Sequence, residues 1–409
     1  MTTGIVGLTV HCPAKVKVLF ISNLFPDASE PNRGLVNARL LRHLARLAEI
    51  RVVAPRPALS GWWTQETSRS PLKEDAALSP RYPLVPYVPK FGSQVNDWLY
   101  AKRLQSILTA VRKDYAFDVI LCSWLYPDAA AVARLADQFH FPYVAIAQGS
   151  DVHQYLDVTA RRQRIVATVN RSSATVARSR ELARLLSGAG ADSGKIQVIY
   201  NGVETDVFNP GDKQAAREAL GLSATAKLIL YVGNLLHVKN PGLALESLAK
   251  LQAQNPQHDT RLIMIGAGPL AESLRQQAAT LGLADQVSWT GAQPPAQVAQ
   301  YLRAGDVLCL PSLNEGMPNV LLEAMATGRP VVATNVGGIS EVLNRPALGR
   351  VVPSRDSASM AAALNDVLTT CLDENTIAQS GRAYSWAETA QSYHKLLVAA
   401  LGATGRADK

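Results

Sequence analysis

Two glutamates, Glu315 and Glu323, are spaced in a way that suits a ligand with both phosphate and hydroxyl groups. Glu315 stands directly before a Gly-Met-Pro turn, and Glu323 follows eight residues later in an apolar run. A helix that begins near Pro318 would place Glu315 above its N-terminus and Glu323 about one turn inside it. Because the first amides of a helix lack internal partners, they favour an anion. The spacing therefore predicts an anion site with a carboxylate on either side, as for a phosphate between two sugars.

The same two glutamates also have a purely structural interpretation, since acidic residues near a helix N-terminus favour the helix dipole without any ligand. The surrounding sequence favours a site instead. "LCLPS" ends a predicted strand just before Glu315, and "GRPVVATNVGG" follows as a helix end, a strand and a glycine turn.

Two further loops follow predicted strands and could contact the same anion. "YVGNLLHVKN" (231–240) carries Lys239, which could either face solvent or reach a phosphate as a point charge. "PNRGL" (31–35) follows the first predicted strand. Its Gly34 is either an ordinary loop glycine or a place where the backbone approaches a diphosphate closely.

The stretch "IMIGAGPLAESL" (263–274) matches a dinucleotide-binding pattern only in part. Gly266, Gly268 and Ala271 fit G-x-G-x-x-A, but no acidic residue ends the next predicted strand, "QVSWTG", as that pattern requires. We therefore interpret it as a nucleotide-edge loop rather than an NAD site. The sequence also lacks zinc-type His/Cys spacing, an Asp-x-Asp for a divalent metal and a Walker A lysine. We expect no metal ion and no cofactor, so lysine, arginine and helix dipoles would have to neutralise a diphosphate.

Short apolar runs alternate with amphipathic stretches, which predicts an α/β fold of parallel sheets with helices on both faces. One series begins at "VKVLFIS" (16–22) and a second at "KLILYVGN" (227–234). Between them, the Asn201-Gly202 turn and the Pro210-Gly211 pair mark a domain boundary near 205–212. We expect two doubly wound domains whose strand ends face a common cleft. The proline-rich segment 56–97 is expected to be a surface insertion or lid. The expected domains are 1–206 and 207–385.

Composition and charge predict a soluble, cytoplasmic protein with one basic half. The start lacks the basic region of a signal peptide, no apolar run approaches the roughly 18 residues of a spanning helix, and four scattered cysteines suit a reducing compartment. Lys and Arg number 25 against 17 Asp and Glu up to position 206, and 16 against 16 beyond it. This asymmetry predicts an anionic partner for the first half, either a membrane face or an acidic polysaccharide, and we expect no nucleic acid. The residues expected to contribute are Arg39, Arg42, Arg46, Trp62, Trp63, Lys102, Arg103, Arg112, Lys113, Arg161, Arg162 and Arg164.

Taken together, these motifs resemble the retaining glycosyltransferases of family 4 (glycosyl transferases group 1). The resemblance covers nearly the whole chain and is most specific in "DVLCLPSLNEGMPNVLLEAMATGRPVVATNVGGISE" (306–341). It also includes "QGSD" (148–151) and "IQVIYNGVETDVFNP" (196–210). The resemblance implies the GT-B fold, with two Rossmann-like domains facing across a cleft and a last helix, 386–409, that crosses back to the first domain.

The resemblance also implies a role for each matching position. Glu315 would bind hydroxyls of the donor sugar and Glu323 those of the ribose, while Lys239 would stabilise the diphosphate with Gly34 and amides near Val320 and Leu321. It implies metal-independent transfer, with retained configuration, from a nucleotide-diphosphate sugar to a glycan or lipid-linked acceptor. The other implied donor-binding positions are Gly233, Asn234, Gly268, Gly316, Met317, Pro318 and Asn319.

Two positions depart from the family pattern. Many members have an arginine where this chain has Asn234, so one positive charge near the diphosphate is missing. Many also place a histidine against the 6-hydroxyl of the sugar, and the candidates here are Ser123 and Gln148. Asp151 and His153 are expected on the acceptor side, although His153 fits a plain surface residue equally well.

Three other classes of protein remain as alternatives. A sugar-nucleotide epimerase can share the fold but lacks the acceptor-side pattern. An NAD-dependent enzyme would need the missing acidic residue. A non-catalytic sugar-binding protein would bind the donor without turnover.

Overall fold

The computed structural model describes residues 15–59, 69–89, 92–353 and 355–402. Trp62, Trp63 and Cys12 lie outside these ranges. The strands of the first half are β1 Lys17–Ile21, β2 Glu49–Val53, β3 Arg56–Ala58, β4 Leu84–Pro86, β5 Val119–Ser123, β6 Tyr143–Ala147, β7 Ala174–Ala177 and β8 Ile196–Val198. Those of the second half are β9 Lys227–Val232, β10 Thr260–Ile265, β11 Val287–Gly291, β12 Val307–Leu310, β13 Val331–Thr334 and β14 Gly349–Val352.

Two six-stranded parallel sheets are built from these strands. Their orders are β2-β1-β5-β6-β7-β8 and β11-β10-β9-β12-β13-β14, and β3 pairs with β4 beside the first sheet. In each order the first strand of the half lies inside the sheet, and later strands are added on both sides of it. The direction of addition therefore reverses between β1 and β5 and between β9 and β12. Ligands of doubly wound sheets bind at such switch points, at the carboxyl ends of the strands.

Helices connect successive strands and cover both faces of each sheet, which is why the inner strands β5, β6, β12 and β13 are buried along their whole length. The helices of the first half are α1 Leu35–Leu44, α2 Asn96–Asp114, α3 Ala130–Phe139, α4 Ser150–His153, α5 Thr159–Arg171 and α6 Arg180–Gly188. The later ones are α7 Lys213–Ala219, α8 Pro241–Gln254, α9 Ala271–Thr280, α10 Pro295–Ala304, α11 Asn319–Ala326, α12 Ile339–Val342, α13 Ser357–Thr369, α14 Glu374–Arg382 and α15 Trp386–Gly402.

The last helix, α15, packs against the first sheet rather than the second. Trp386, Tyr393 and Leu397 are buried in the same apolar cluster as Phe20 of β1 and Leu41 of α1. The chain thus returns to its first half after completing the second. The boundaries of the two domains at 206 and 385 stay a prediction.

The segment 56–97 differs from expectation, because its described part is not confined to the surface. Leu78, Tyr82 and Val85 are at most 3% exposed. These apolar side chains join the core of the first half, which explains why a proline-rich stretch holds a fixed position. Within the described residues, no helix is long and apolar enough to cross a membrane.

Candidate active site

Lys239 and Glu315 meet at the switch point of the second sheet. Lys239 ends a short turn that follows β9, and Glu315 lies in the loop that follows β12, the neighbouring strand. The Lys239 Nζ lies 2.7 Å from both carboxylate oxygens of Glu315. The Ser312 hydroxyl donates a third hydrogen bond to Glu315 Oε1, at 2.7 Å. The carboxylate is therefore held in one orientation by two neighbouring loops.

The N-terminus of α11 opens beside this pair. The helix begins at Asn319, with Pro318 as its cap, one residue later than expected. Within the described part of the chain, the amides of Asn319 and Val320 have no acceptor, whereas the Leu321 amide donates to the Pro318 carbonyl at 3.2 Å. The free donors are thus those of Asn319 and Val320. The Leu321 amide already has an acceptor within the first turn.

The glycine turn after β13 packs directly against the backbone of the Glu315 loop. The Gly338 amide donates to the Gly316 carbonyl at 2.8 Å. Gly337 has a φ of 57°, and a Cβ there would lie 2.1 Å from the Glu315 carbonyl oxygen. Only glycine permits this close approach, which explains why "NVGG" accompanies the glutamate motif in the sequence.

Gln148 faces the pair from the first half, and buried neighbours determine which end of its amide points outward. Arg178, which can only donate, donates to Asn37 Oδ1 at 3.2 Å, and Asn37 Nδ2 donates to the Leu24 carbonyl at 2.8 Å. Asn37 therefore presents its oxygen to Gln148 Nε2, 2.7 Å away, and Ser123 Oγ accepts from the same nitrogen. Among the described residues, no donor reaches Gln148 Oε1. Ser123 lies behind Gln148, so Gln148 is the residue that a ligand would meet.

Asp151 was expected on the acceptor side, but it is fully buried. Its carboxylate accepts hydrogen bonds from the amides of Leu125, Gln148 and Gly149, each at 2.9 Å. Burial raises the pKa of Asp151, while these amides oppose the rise. Asp151 thus shapes the loop that carries Gln148, because its carboxylate is engaged by backbone amides.

His153 lies at the cavity and is not a plain surface residue. Its Nε2 is 3.3 Å from Glu181 Oε2, within ion-pair distance. The Glu181 carboxylate raises the pKa of His153, against the opposing effect of burial.

A cavity of about 310 Å³ lies between the two halves, and half of the predicted site residues line it. Val36, two residues after Gly34, also lines it, so the start of α1 borders the cavity. The predicted residues that line it are Gln148, His153, Lys239, Glu315, Gly316, Met317, Pro318 and Asn319.

The other predicted glycine positions do not line this cavity. Gly34 has a φ of 63°, and a Cβ there would lie 2.2 Å from the Leu24 backbone, so the turn itself requires glycine. A Cβ on Gly268 would lie 2.5 Å from the Leu235 carbonyl oxygen. Gly233 and Asn234 lie in the loop after β9, which is hydrogen-bonded to the loop after β10, and Asn234 is exposed.

Glu323 lies deeper, one turn inside α11, and is paired across the cleft. Arg39 Nη1 of α1 donates to Glu323 Oε1 at 3.1 Å, and both residues are 9% exposed. Burial raises the pKa of Glu323, and Arg39 opposes this rise. Arg39 was expected on a basic outer surface, and this expectation was wrong because the residue is buried against Glu323. Arg42, another residue expected on that basic surface, forms ion pairs with Asp75 and Glu74.

No group of three or more His, Cys, Asp or Glu side chains could hold a metal ion within the described ranges. The cations near the free amides of α11 are instead Lys239 and, deeper in the cleft, Arg39.

Two protein-family descriptions match consecutive parts of this chain. Residues 34–207 match Glycosyltransferase Family 4, and residues 212–383 match Glycosyl transferases group 1. The chain belongs to glycosyltransferase family 4. The two matches meet within the segment that connects the sheets.

Similar proteins agree with this membership. The D-inositol 3-phosphate glycosyltransferase of Nocardia farcinica is 31% identical over 270 residues, which are 63% of this chain and 58% of that protein. The putative teichuronic acid biosynthesis glycosyltransferase TuaC of Bacillus subtilis is 29% identical over 346 residues, 81% of this chain and 84% of that one. The match thus spans less than two thirds of the first relative.

Solved structures show the fold. Anabaena Alr3699/HepE in complex with UDP superposes with a TM-score of 0.72 at 20% identity, covering 93% of this chain and 99% of that one. This family 4 chain therefore has the GT-B fold, as the sequence motifs implied.

Sequence motifs alone missed several residues that shape the site. Asn201 of the connecting segment donates to Asn319 Oδ1 at 2.8 Å, and the Asn-Gly turn was the only signal for it. Asn37 and Arg178, which orient Gln148, and Arg39, which pairs with Glu323, carried no local signal. Each acts through a partner more than 100 positions away.

Proposed function

We propose that this protein transfers a sugar from a nucleotide-diphosphate sugar to a glycan or lipid-linked acceptor, with retention of configuration and without a metal ion. The observation that carries the proposal is that the Lys239–Glu315 pair lines one cavity with Asn319, at the start of α11, where the amides of Asn319 and Val320 have no acceptor among the described residues. A cation, two free amides and an oriented carboxylate suit a diphosphate that is joined to a sugar.

The proposed chemistry is charge stabilisation with little covalent participation by the protein. As the bond between the sugar's anomeric carbon and the diphosphate breaks, Lys239 and the α11 N-terminus stabilise the negative charge on the leaving group. The acceptor hydroxyl forms the new bond on the same face and transfers its proton to a diphosphate oxygen. Glu315 would hold a hydroxyl of the sugar while the ring approaches an oxocarbenium-like state.

Gln148 would contribute to the choice of donor sugar. Because its nitrogen is engaged by Asn37 and Ser123, it offers a carbonyl oxygen to the cavity. A sugar with a hydroxyl at that point would donate to this oxygen, and a deoxy sugar would leave it unpaired. Gln148→Leu should therefore reduce discrimination between such sugars.

A thermal-shift panel of sugar nucleotides tests the proposal. A ligand that binds only the folded protein stabilises it by about 2.7 kcal/mol at 100 times its Kd. We expect one nucleotide class, with UDP as the first candidate because Anabaena Alr3699/HepE was solved with it, to raise the Tm of the wild type. Glu323→Gln should respond less, and the exposed control Glu272→Gln should respond like the wild type.

The same panel, followed by a turnover assay, separates the alternatives. Binding of the nucleotide sugar without release of nucleoside diphosphate would indicate a sugar-binding protein. A changed sugar configuration on the intact nucleotide would indicate an epimerase. A shift with NADH alone would contradict the transferase proposal.

For the acceptor side, we propose a peripheral contact with an anionic membrane surface on the cytoplasmic face. Trp98 and Val95 at the start of α2 are 48% and 44% exposed, and the Lys102 ammonium lies 5.8 Å from the Trp98 ring centroid. Arg164 of α5 lies 3.5 Å from Asp97, the residue before Trp98, and Arg162, two residues earlier in α5, is exposed. Exposed apolar residues beside cations suit a lipid headgroup region, where each cation contributes about 1 kcal/mol.

Co-sedimentation with vesicles tests this contact. Binding to anionic vesicles should fall as salt rises, and a Trp98→Ala, Arg162→Glu double variant should bind less. Lys250→Glu, on an exposed position of the second half, is the matched control. Equal recovery with neutral and anionic vesicles would contradict the proposal.

A further inference from the structure

Arg39 and Glu323 form a buried ion pair between the two halves of the molecule. Each residue lies about one turn inside its own helix, α1 and α11, and the two atoms Arg39 Nη1 and Glu323 Oε1 are 3.1 Å apart. Their side chains are only 10% and 11% exposed. The α1 and α11 helices both begin at the cavity, so the pair lies just behind the site.

A second pair extends the contact along α1. His43, one turn after Arg39, lies 3.0 Å from a carboxylate oxygen of Glu204, which belongs to the segment connecting the two sheets. Glu204 acts on Glu323 as a like charge and raises its pKa, in addition to the larger effect of burial. The charged groups that face Glu323 in the described chain are thus Arg39 and Glu204, with His43 behind Glu204.

Arg39 favours the ionised form of Glu323, whereas burial disfavours it. A buried carboxylate that loses its counter-ion either keeps an uncompensated charge or takes up a proton. A protonated carboxyl has lost much of its strength as an acceptor, since hydrogen bonds to an ionised oxygen are roughly twice as strong as neutral ones. The single bond from Arg39 uses Oε1 and leaves Oε2 without a partner among the described residues.

We propose that Arg39 is a positioning residue for the donor nucleotide: it crosses the cleft to hold Glu323 ionised, with Oε1 engaged and Oε2 directed to a ribose hydroxyl. The inference rests on the proposed function, in which Glu323 binds the ribose. It adds that the nucleotide site of the second half is complete only when α1 of the first half lies against α11. Donor binding and approach of the two halves are then linked through one side chain.

Calorimetric titration with UDP tests this role, using the wild type, Arg39→Met, Arg39→Lys, Glu323→Gln and the double variant Arg39→Met, Glu323→Gln. We expect Arg39→Met to weaken UDP binding at least tenfold at pH 7 and Arg39→Lys to recover most of the loss. In the Glu323→Gln background, Arg39→Met should add less than twofold. The exposed control Arg46→Met should bind like the wild type.

The pH dependence separates this role from a merely structural one. Without Arg39, the pKa of Glu323 rises further, so the affinity of Arg39→Met for UDP should fall more than that of the wild type between pH 8 and pH 6.

Three results would overturn the inference. Equal binding by Arg39→Met would remove Arg39 from the nucleotide site, and tighter binding would mean that the ligand must break the ion pair to bind. An equal loss in the Glu323→Gln background would place Arg39 on the ligand itself. The wild-type titrations test the proposed function separately. If the wild type binds neither UDP nor any other nucleoside diphosphate, both proposals are removed. If it binds UDP and the binding is indifferent to Arg39, only this inference is removed.

Discussion

The carboxyl edges of the two sheets carry different kinds of polar side chains, although the sheets share one topology. In the second half, Lys239 and Glu315 project into the cavity from adjacent strand ends. In the first half, the buried side chains of Asn37, Ser123 and Arg178 are linked by hydrogen bonds, and they orient the amide of Gln148 toward the cavity. One edge supplies charge and the other supplies an oriented, uncharged contact.

This difference indicates a division of tasks between the halves. Every glycosyltransferase that uses a nucleotide-diphosphate donor must stabilise the same leaving group, so its charged residues suit a fixed local motif. Acceptors and sugars differ, and a contact built from a tertiary network can change without disturbing the diphosphate site. Substitutions of Lys239 and Glu315 in the second half should therefore affect chemistry, and those of Gln148 and Asp151 in the first half should affect selectivity and stability. Arg39 is the first-half residue expected to affect nucleotide binding, through its ion pair with Glu323.

The largest effect should come from Glu315→Gln, which keeps the shape of the side chain but removes its charge. We expect turnover to fall about 100-fold, as for loss of a group that acts mainly in the transition state, with a smaller change in KM. Steady-state release of nucleoside diphosphate measures it, with Glu272→Gln as control. Wild-type turnover in a folded Glu315→Gln variant would remove the residue from the mechanism.

Glu323→Ala should act on donor binding instead. Loss of a hydrogen bond to a charged group costs about 1.5–3 kcal/mol, which is about 10-fold to 150-fold in Kd. Calorimetric titration with UDP gives this value directly. A variant with unchanged Kd and reduced turnover would reverse the roles that we assign to the two glutamates.

Lys239→Ala should lower turnover by at least about tenfold, because the leaving diphosphate loses its point charge. Activity should persist in EDTA, since lysine and the α11 N-terminus take the place of a metal ion. Lys250→Ala serves as the control on an exposed helix. Complete loss in EDTA with recovery on adding manganese would contradict the metal-independent account.

The smallest effect on chemistry should follow Asp151→Asn in the first half. An asparagine keeps one acceptor but turns a donor toward a backbone amide, so the free energy of unfolding should fall by about 1–3 kcal/mol. Thermal or urea unfolding measures this change. Turnover per folded molecule should stay within about twofold, and a hundredfold loss without destabilisation would instead make Asp151 a ligand-contacting group.

The sequence was sufficient to predict the two sheets and to place Lys239 and Glu315 in loops that could contact one anion. Apolar strands that alternate with helices leave few topologies open, and residues after adjacent parallel strands must meet at one edge. Asp151 was misplaced because a buried carboxylate that caps backbone amides and one that binds a ligand look alike in sequence. Arg39 was misplaced for a related reason, since its partner Glu323 lies 284 positions away.

A crystal structure with UDP bound would test the central claim most directly. The account predicts that the diphosphate contacts the Asn319 and Val320 amides and the Lys239 ammonium, with a ribose hydroxyl on Glu323. A diphosphate bound elsewhere, or a ribose that does not contact Glu323, would contradict it.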